Sequence, residues 1–559
     1  MKIRIGSRGS DLALAQSRWV AAQLEALPQK PTVEIEIIKT RGDVNLDRPL
    51  ASFAGEPDAK GLFTKELEQA LLEGRIDLAI HSFKDLPTEN PAGLTLACTP
   101  PREDPEDILL FRKSSRGRDH LPFVSAGSRI GTSSIRRQEL VRHHWPDIKI
   151  TDIRGNVPTR LARLFDSDPD RRVEALLLAA AGMKRLRAAG AFADALWSDR
   201  LAELEVHPLE AAVFPPAPAQ GALALQCRAD DGVLIECLMG LHSDPDFARV
   251  QSERHVLRVL EGGCHVPLGC HCVPSVRESF SIHVFHARSG KVRRLFTRHA
   301  HTAEALGKAV GQELLGQLPI IVTGKSERVA EIRALAPERV IACATIETEA
   351  LPIPAEDLKN LSDLLETNPI LAAFSATGVR AFFELARQNV SIHESLSRVR
   401  WAVVGSRTEA ALLDQLPRAP VAFRSPDGTA GGLAAVIQSQ PDDPKVIALA
   451  AERTRPDFYT KLGPAIRLKL NLYRTKPIES LDKANLPPAA LVILGSPSSV
   501  DGFQAHCQAA GRSLSEPQLL LCAIGPTTAD YLRSLDLEPY AIAPEPDYEA
   551  FVRELSHKD

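Results

Sequence analysis

The stretch Asp77-Leu78-Ala79-Ile80-His81-Ser82-Phe83-Lys84-Asp85-Leu86-Pro87 decides how the first half of this chain is read. Its apolar start reads as a buried strand leaving an α/β sheet at its carboxyl end. Open α/β sheets bind ligands in the crevice outside such strand ends. Lys84 and Asp85 place a cation and a carboxylate side by side at that mouth, and Pro87 stops a helix from forming at once. A lone Lys–Asp neighbour pair is ordinarily a solvated surface pair. Its surroundings make this one a candidate site.

Working outward, Lys2 to Gly6 is a strand, and Ser7-Arg8-Gly9-Ser10-Asp11 turns into a helix over about Leu12 to Leu27. Ser10 or Asp11 can cap that helix, and an N-terminus with Arg8 beside it suits a carboxylate or phosphate. Val33 to Lys39 is a second strand, residues 50–60 read as a mobile loop, and a helix opens at Gly61. This alternation of strands and helices predicts a mostly parallel sheet covered on both faces. From about residue 105 the pattern restarts. The strand Ile108 to Phe111 is followed by Gly131-Thr132-Ser133-Ser134-Ile135-Arg136-Arg137, which leads into a helix with two arginines on its first turn. Ile148 to Ile153 ends in Arg154-Gly155-Asn156-Val157, with Arg160 in the next helix, and Ala175 to Ala181 leads to Arg185. Each arginine alone reads as a surface residue, but all five fall where strands hand over to helices. Guanidinium forks pair bidentately with carboxylates, so the lining implies a substrate carrying several of them.

Pro215 to Ala222 is a rigid connector, and Leu223 to Gln226 reads as a strand returning to the first domain. A third unit begins near 244, where the helix Arg249 to Leu260 runs into Glu261-Gly262-Gly263-Cys264-His265-Val266-Pro267-Leu268-Gly269. A thiol between glycines and a proline marks an exposed, shaped loop and so a reactive cysteine. Cys270-His271-Cys272 lacks the paired knuckles of a structural zinc site, so no metal is expected. Two strands and a helix over 280–315 complete a small α+β domain.

At 559 residues the chain is too long for one core. Its net charge of −4 gives no reason to expect a nucleic-acid partner, so any basic site must be local. The start runs straight into a strand without a signal-peptide apolar region, and no apolar run is long enough for a bilayer. Nine cysteines without framework spacing fit reduced thiols. A cytoplasmic protein with no membrane partner is expected.

The motifs HSFKDLP, GTSSIRRQ, RGNVPTRL, AQGALALQC and EGGCHVPLG together resemble hydroxymethylbilane synthase (porphobilinogen deaminase) over residues 1 to about 315. The resemblance implies two α/β domains like those of a periplasmic binding protein, over 1–104 with 222–240 and over 105–221. A small α+β domain over 241–316 would carry the cofactor cysteine. It further implies that Cys264 holds a covalent dipyrromethane through a thioether. Asp85 would be the catalytic carboxylate, assisted by Lys84, while Ser10, Lys84, Ser134, Arg136, Arg137 and Arg154 bind the cofactor. Arg8, Arg160 and Arg185 would bind the acidic side chains of the substrate, porphobilinogen. Where the family usually has glycine, this chain has Ala59 and Ala219.

From about Leu318 a second α/β sequence begins with Pro319-Ile320-Ile321-Val322-Thr323. Its later strands end in small hydroxyl residues: Ser375-Ala376-Thr377-Gly378, Gly495-Ser496-Pro497-Ser498 and Gly525-Pro526-Thr527-Thr528. Such ends serve as helix caps and also offer neutral donors to an anionic ligand. Over about 319–555 their order resembles uroporphyrinogen-III synthase. That resemblance implies two α/β domains, over 317–352 with 486–559 and over 353–485, joined by a two-stranded linker crossing near 350–356 and 472–475. Tyr473 would be the acid that assists loss of the terminal hydroxyl of hydroxymethylbilane, with Ser375, Ser496, Ser498, Thr527 and Thr528 around the substrate. Gly324 and Ala450 stand where the family commonly has arginine, and Arg453 or Arg455 is the expected replacement. The expected activity is therefore bifunctional: four porphobilinogens are joined with release of ammonia, and the bilane is then cyclised to uroporphyrinogen III. The alternative is an active deaminase carrying an inactive synthase-like scaffold. A solute-binding protein is disfavoured, because it has no use for Cys264 beside an acid-bearing cleft.

Overall fold

The computed structural model describes residues 1–40, 64–113, 127–260, 266–275, 279–288, 292–440, 444–453, 456–478 and 486–556. The loop expected over 50–60 and the cysteine at 264 lie outside them. Two compact units form: Met1–Ile320 with Ala489–Leu491 and Leu520–Asp559, and Ile321–Pro488 with Val492–Leu519.

Among the described residues of the first unit, ten strands form two sheets. They are β1 (Lys2–Ser7), β2 (Thr32–Ile37), β3 (Leu78–Ser82), β4 (Leu94–Cys98), β5 (Asp107–Arg112), β6 (Arg129–Gly131), β7 (Lys149–Thr151), β8 (Ala175–Ala179), β9 (Leu204–Leu209) and β10 (Leu223–Arg228). One sheet runs β2-β1-β3-β10-β4 and the other β7-β6-β8-β5-β9. In each, a single strand is antiparallel to both neighbours, β10 in the first sheet and β5 in the second. These are the two strands that the chain inserts after crossing from the other sheet. The two crossings pass so closely that a Cβ on Gly221 would lie 2.2 Å from the Glu103 carbonyl oxygen. Gly221 also has φ +86, so glycine is required there twice over. Leu78 to His81 of β3 are buried, as a strand covered on both faces demands.

A third sheet, β11 (Leu268–Pro274), β12 (Phe280–Arg288) and β13 (Val292–Ala300), is wholly antiparallel. Helices Asp244–Val259 and Ala303–Leu314 accompany it, which is the small α+β domain expected. Cys270 and Cys272 lie buried in β11, where burial pushes the Cys272 thiol up to about 12 and Cys270 well above its ordinary value. Neither is a nucleophile in that state.

The second unit carries β14 (Ile320–Gly324), β15 (Val340–Ala344), β16 (Ile346–Ala350), β17 (Ile370–Ala373), β18 (Arg400–Val403), β19 (Val421–Arg424), β20 (Val446–Ala451), β21 (Ile466–Pro477) and β22 (Ala490–Leu494). Six of these form a sheet in the order β16-β21-β20-β17-β18-β19. It is parallel except for β16, which pairs antiparallel with β21 and sets Ala350 opposite Tyr473. Trp401 stacks on Phe383 in its core, and the small-residue strands β17 and, up to Ala450, β20 are buried.

The chain ends in β23 (Leu519–Ala523), helix Pro526–Ser534, β24 (Ala541–Ile542) and helix Tyr548–Ser556. Leu520 onward belongs to the first unit. There the His299 amide of β13 donates to the Tyr540 carbonyl at 2.8 Å, and the buried Arg298 pairs with Glu313 and Glu554. Among the described residues no helix is long and apolar enough to cross a membrane.

Candidate functional site

Phe83-Lys84-Asp85 forms a single 3-10 turn at the end of β3. Phe83 is fully buried against Leu86, Ala219, Ala222, Ala224 and Val250, which anchors the turn from below. From helix Asp244–Val259, Arg254 donates to the carbonyl oxygens of Phe83 and Leu86 at 3.2 Å and of Pro87 at 2.5 Å. Its guanidinium lies 4.5 Å from the Phe83 ring centroid. Held from both sides, the turn leaves Lys84 half-buried and Asp85 exposed.

A chain of contacts leads from Lys84 into the second sheet. Its ammonium donates to Gln220 Oε1 at 3.2 Å, and Gln220 Nε2 donates to Asp107 Oδ1 at 2.8 Å. Asp107, fully buried at the start of β5, also receives both arginines from helix Ile135–His144. Arg137 reaches Oδ1 at 2.8 Å and Arg136 reaches Oδ2 at 2.8 Å. Burial alone would raise the Asp107 carboxyl, but the two guanidiniums outweigh it and hold it well below the usual carboxylate range. Burial lowers the Lys84 ammonium to about 8 against the pull of Asp85, with Arg137 and Arg136 adding to the decrease.

The other expected cations join this cluster. Burial lowers Arg160, and Arg137 and Arg154 lower it further, while Asp85 opposes them. The Nε of Arg160 is tied to the Gly155 carbonyl at 2.8 Å. Arg154 is about one-third exposed, with Asp152 at 3.7 Å. Electrostatic interactions therefore link Lys84, Arg136, Arg137, Arg154 and Arg160 in one cluster with Asp85, Asp107 and Asp152, an excess of positive charge. Arg185 donates to the Gly221 carbonyl at 2.7 Å, and burial lowers it to about 10. Arg8 acts electrostatically on the buried His81. Ser10 and Ser134 cap the helices that follow them, accepting from Ala13 and Arg137 amides.

Sequence reasoning missed three members. Asp107 had a signal, an acid opening an otherwise apolar strand, and Gln220 lay inside a quoted motif. Arg254 had none, since nothing in the sequence distinguishes it from Arg249 or Arg258 on the same helix.

In the second unit Tyr473 Oη and Ser375 Oγ lie 2.8 Å apart, and Ser375 Oγ accepts the Gly378 amide at 3.0 Å. Burial raises the Tyr473 phenol, and Ser375 partly offsets this. Lys325 donates to Thr377 Oγ1 at 2.7 Å, with its ammonium 5.9 Å from the Tyr473 ring centroid. Sequence reasoning looked for a cation at 453 or 455. Arg453 is exposed, Arg455 lies outside the described residues, and Lys325 is the cation beside Tyr473. Ser496 forms a reciprocal capping box with Ser499 on helix Pro497–Ala509, where Ser498 occupies the first turn. Thr527 and Thr528 lie in the first turn of helix Pro526–Ser534, which belongs to the first unit.

Three family models match. Residues 3–236 match the porphobilinogen deaminase dipyrromethane cofactor binding domain, residues 247–316 its C-terminal domain, and residues 326–553 uroporphyrinogen-III synthase HemD. The porphobilinogen deaminase of Synechococcus elongatus is 46% identical over 268 residues, 48% of this chain and 77% of that one. That of Syntrophotalea carbinolica is 41% identical over 317 residues, 56% of this chain and 93% of its own. A solved uroporphyrinogen III synthase variant of Thermus thermophilus is 17% identical, covering 43% of this chain and all of that one, with a TM-score of 0.30.

Proposed function

The chain belongs to the porphobilinogen deaminase family and carries a uroporphyrinogen-III synthase domain behind it, and from that premise we propose how its residues divide the work. It is an enzyme of tetrapyrrole biosynthesis, and its first part is the family's dipyrromethane-binding domain. The cation cluster fits such a group: Lys84, Arg136, Arg137, Arg154 and Arg160 offer charge-assisted donors to the several carboxylates of two acidic pyrroles. Cys264 would hold it by a thioether. When bound, it supplies the free pyrrole carbon from which the growing chain extends.

The residues of this chain then position and stabilise. Asp85, exposed at the tip of a rigid turn, accepts pyrrole N–H groups and stabilises the positive charge that develops as porphobilinogen loses ammonia. Arg136 and Arg137, pre-oriented by Asp107, hold acidic side chains so that successive condensations occur at one place. Arg8, Arg160 and Arg185 extend that lining, with Ser10 and Ser134 as hydroxyl partners. In the second part Tyr473, hydrogen-bonded to Ser375, protonates the departing hydroxyl of hydroxymethylbilane, and Ser496 and Ser498 of the same unit bind the substrate. The raised phenol suits an acid that must stay protonated until the moment of transfer.

The observation that carries the reading is the Lys84–Gln220–Asp107–Arg137 connection, which joins the Asp85 turn to the arginines of the other lobe. Intact-mass measurement tests it together with turnover. The purified chain should exceed its sequence mass by a dipyrromethane, and Cys264→Ser should lack that excess and make no bilane. Asp85→Asn should keep the excess yet lose a factor of about a hundred or more in turnover. Normal turnover in Asp85→Asn would refute the assignment.

A further inference from the structure

Lys325 is a half-buried lysine with no carboxylate in salt-bridge distance among the described residues. Its hydrogen-bond partner is neutral, the Thr377 hydroxyl at 2.7 Å. The nearest aromatic face is that of Tyr473, 5.9 Å from the ammonium, and Tyr473 is itself bound to Ser375. Burial lowers the lysine, Glu327 opposes part of that, and Arg380 adds a smaller decrease. A desolvated cation held by one neutral oxygen is short of a counter-charge. Other lysines of this unit solve that problem at the surface, as Lys476 does with Glu347 and Glu349.

Local geometry places the ammonium deliberately. Lys325 sits in extended conformation between β14 and helix Ser326–Leu335, directly after Gly324 with φ +147. Thr377 lies in the first turn of helix Ala376–Arg387, which Ser375 caps. One element thus supplies the cation, a second the Thr377 hydroxyl bonded to it and Ser375 two residues earlier, and a third Tyr473, whose hydroxyl is paired with that of Ser375. Three hydroxyls and an ammonium without a salt-bridge partner among the described residues form a receptor for an anion bearing oxygen acceptors.

We propose that Lys325 binds a side-chain carboxylate of the linear tetrapyrrole and so fixes the substrate against Tyr473. This rests on the reading of the second half as a working synthase. Lys325 is a binding residue here, and Thr377 holds it in place before the carboxylate arrives. A charge-assisted bond made equally in ground and transition states lowers KM without changing kcat. Loss of Tyr473 as an acid would instead lower kcat.

The test uses the full chain with hydroxymethylbilane added, and follows formation of the type III and type I isomers. Lys325→Met keeps the apolar stem and removes the charge, so KM should rise about tenfold or more while kcat stays within about twofold. Lys325→Arg should restore KM to within about threefold, and Lys325→Gln should behave as the methionine variant does. Type III formation at saturating hydroxymethylbilane, which needs the unit that carries Lys325, reports that each variant is folded. Unchanged KM in both Lys325→Met and Lys325→Gln overturns the proposal while leaving the synthase reading intact. Type I product alone from the unaltered chain overturns the synthase reading, and the proposal falls with it.

Discussion

Tyr540→Phe tests whether the last forty residues are structurally part of the third deaminase domain. The Tyr540 hydroxyl donates to Glu313 Oε2 at 2.6 Å, and both side chains are almost completely buried. Glu313 is also gripped bidentately by Arg298, through Nε at 2.9 Å and Nη2 at 2.7 Å, and Arg298 reaches Glu554 at 3.0 Å. The substitution keeps the ring and leaves Glu313 its arginine, so it removes one hydrogen bond to a charged group. That is worth about 1.5–3 kcal/mol, or roughly a 10- to 150-fold rise in local opening at about 1.4 kcal/mol per decade. Glu313→Gln goes further, because it leaves Arg298 buried beside the half-exposed Glu554 alone. Breaking such a pair costs about 3–5 kcal/mol, two to nearly four powers of ten in opening. Native-state hydrogen exchange, read by mass spectrometry, follows the amides of His299 and Tyr540, which bond to Tyr540 and Leu521 carbonyls. Peptides from β13 and from 519–556 should lose protection together, and peptides from β3 and β8 should not. Less than about threefold change in both variants would refute the claim that this cluster closes the segment onto the domain. The same contacts imply that a chain cut after Gln317 loses the cover over Glu313 and Arg298, so the deaminase half alone should be less stable than in the full chain.

Asp107→Asn should leave Arg136 and Arg137 facing a neutral amide, costing about 3–5 kcal/mol and lowering porphobilinogen consumption by about tenfold or more. The folded carboxyl lies below its unfolded value near 3.9. Its stabilisation is therefore complete above that pH and lost as pH falls through the folded value, so the urea midpoint should drop below pH 4 by more in the wild type than in the variant, which keeps the lowered carboxyls of Asp77 and Glu253. Lys84 has the opposite chemistry, a base lowered to about 8 by burial. Between about 8 and 10.4 the unfolded chain binds the extra proton at this position, so from about pH 8 to about pH 10 the cofactor-free Cys264→Ser chain should gain stability relative to the same chain with Lys84→Met added. Tyr473→Phe keeps the ring and loses the proton, so the type III share from porphobilinogen should fall; an unchanged share would exclude the phenol as the acid.

The sequence by itself determined the alternation of strands and helices and the turn bearing Lys84 and Asp85, because both are local. Periodicity, turn residues and short motifs act within a few positions, so they can be read along one strand of text. It also placed the arginines at strand-to-helix junctions, where the structure finds them. What only tertiary structure decided is how those residues are held. Asp107 lies 30 positions from Arg137, Gln220 lies 136 from Lys84, and Arg254 lies 171 from Phe83. Each is a polar group taken out of water that had to find a partner, and the partner came from a different strand or domain. Nor could the sequence show that Tyr540 and Glu554 close over Glu313 and Arg298, more than two hundred residues earlier. A buried charge constrains its counter-charge in space and leaves the separation along the chain free.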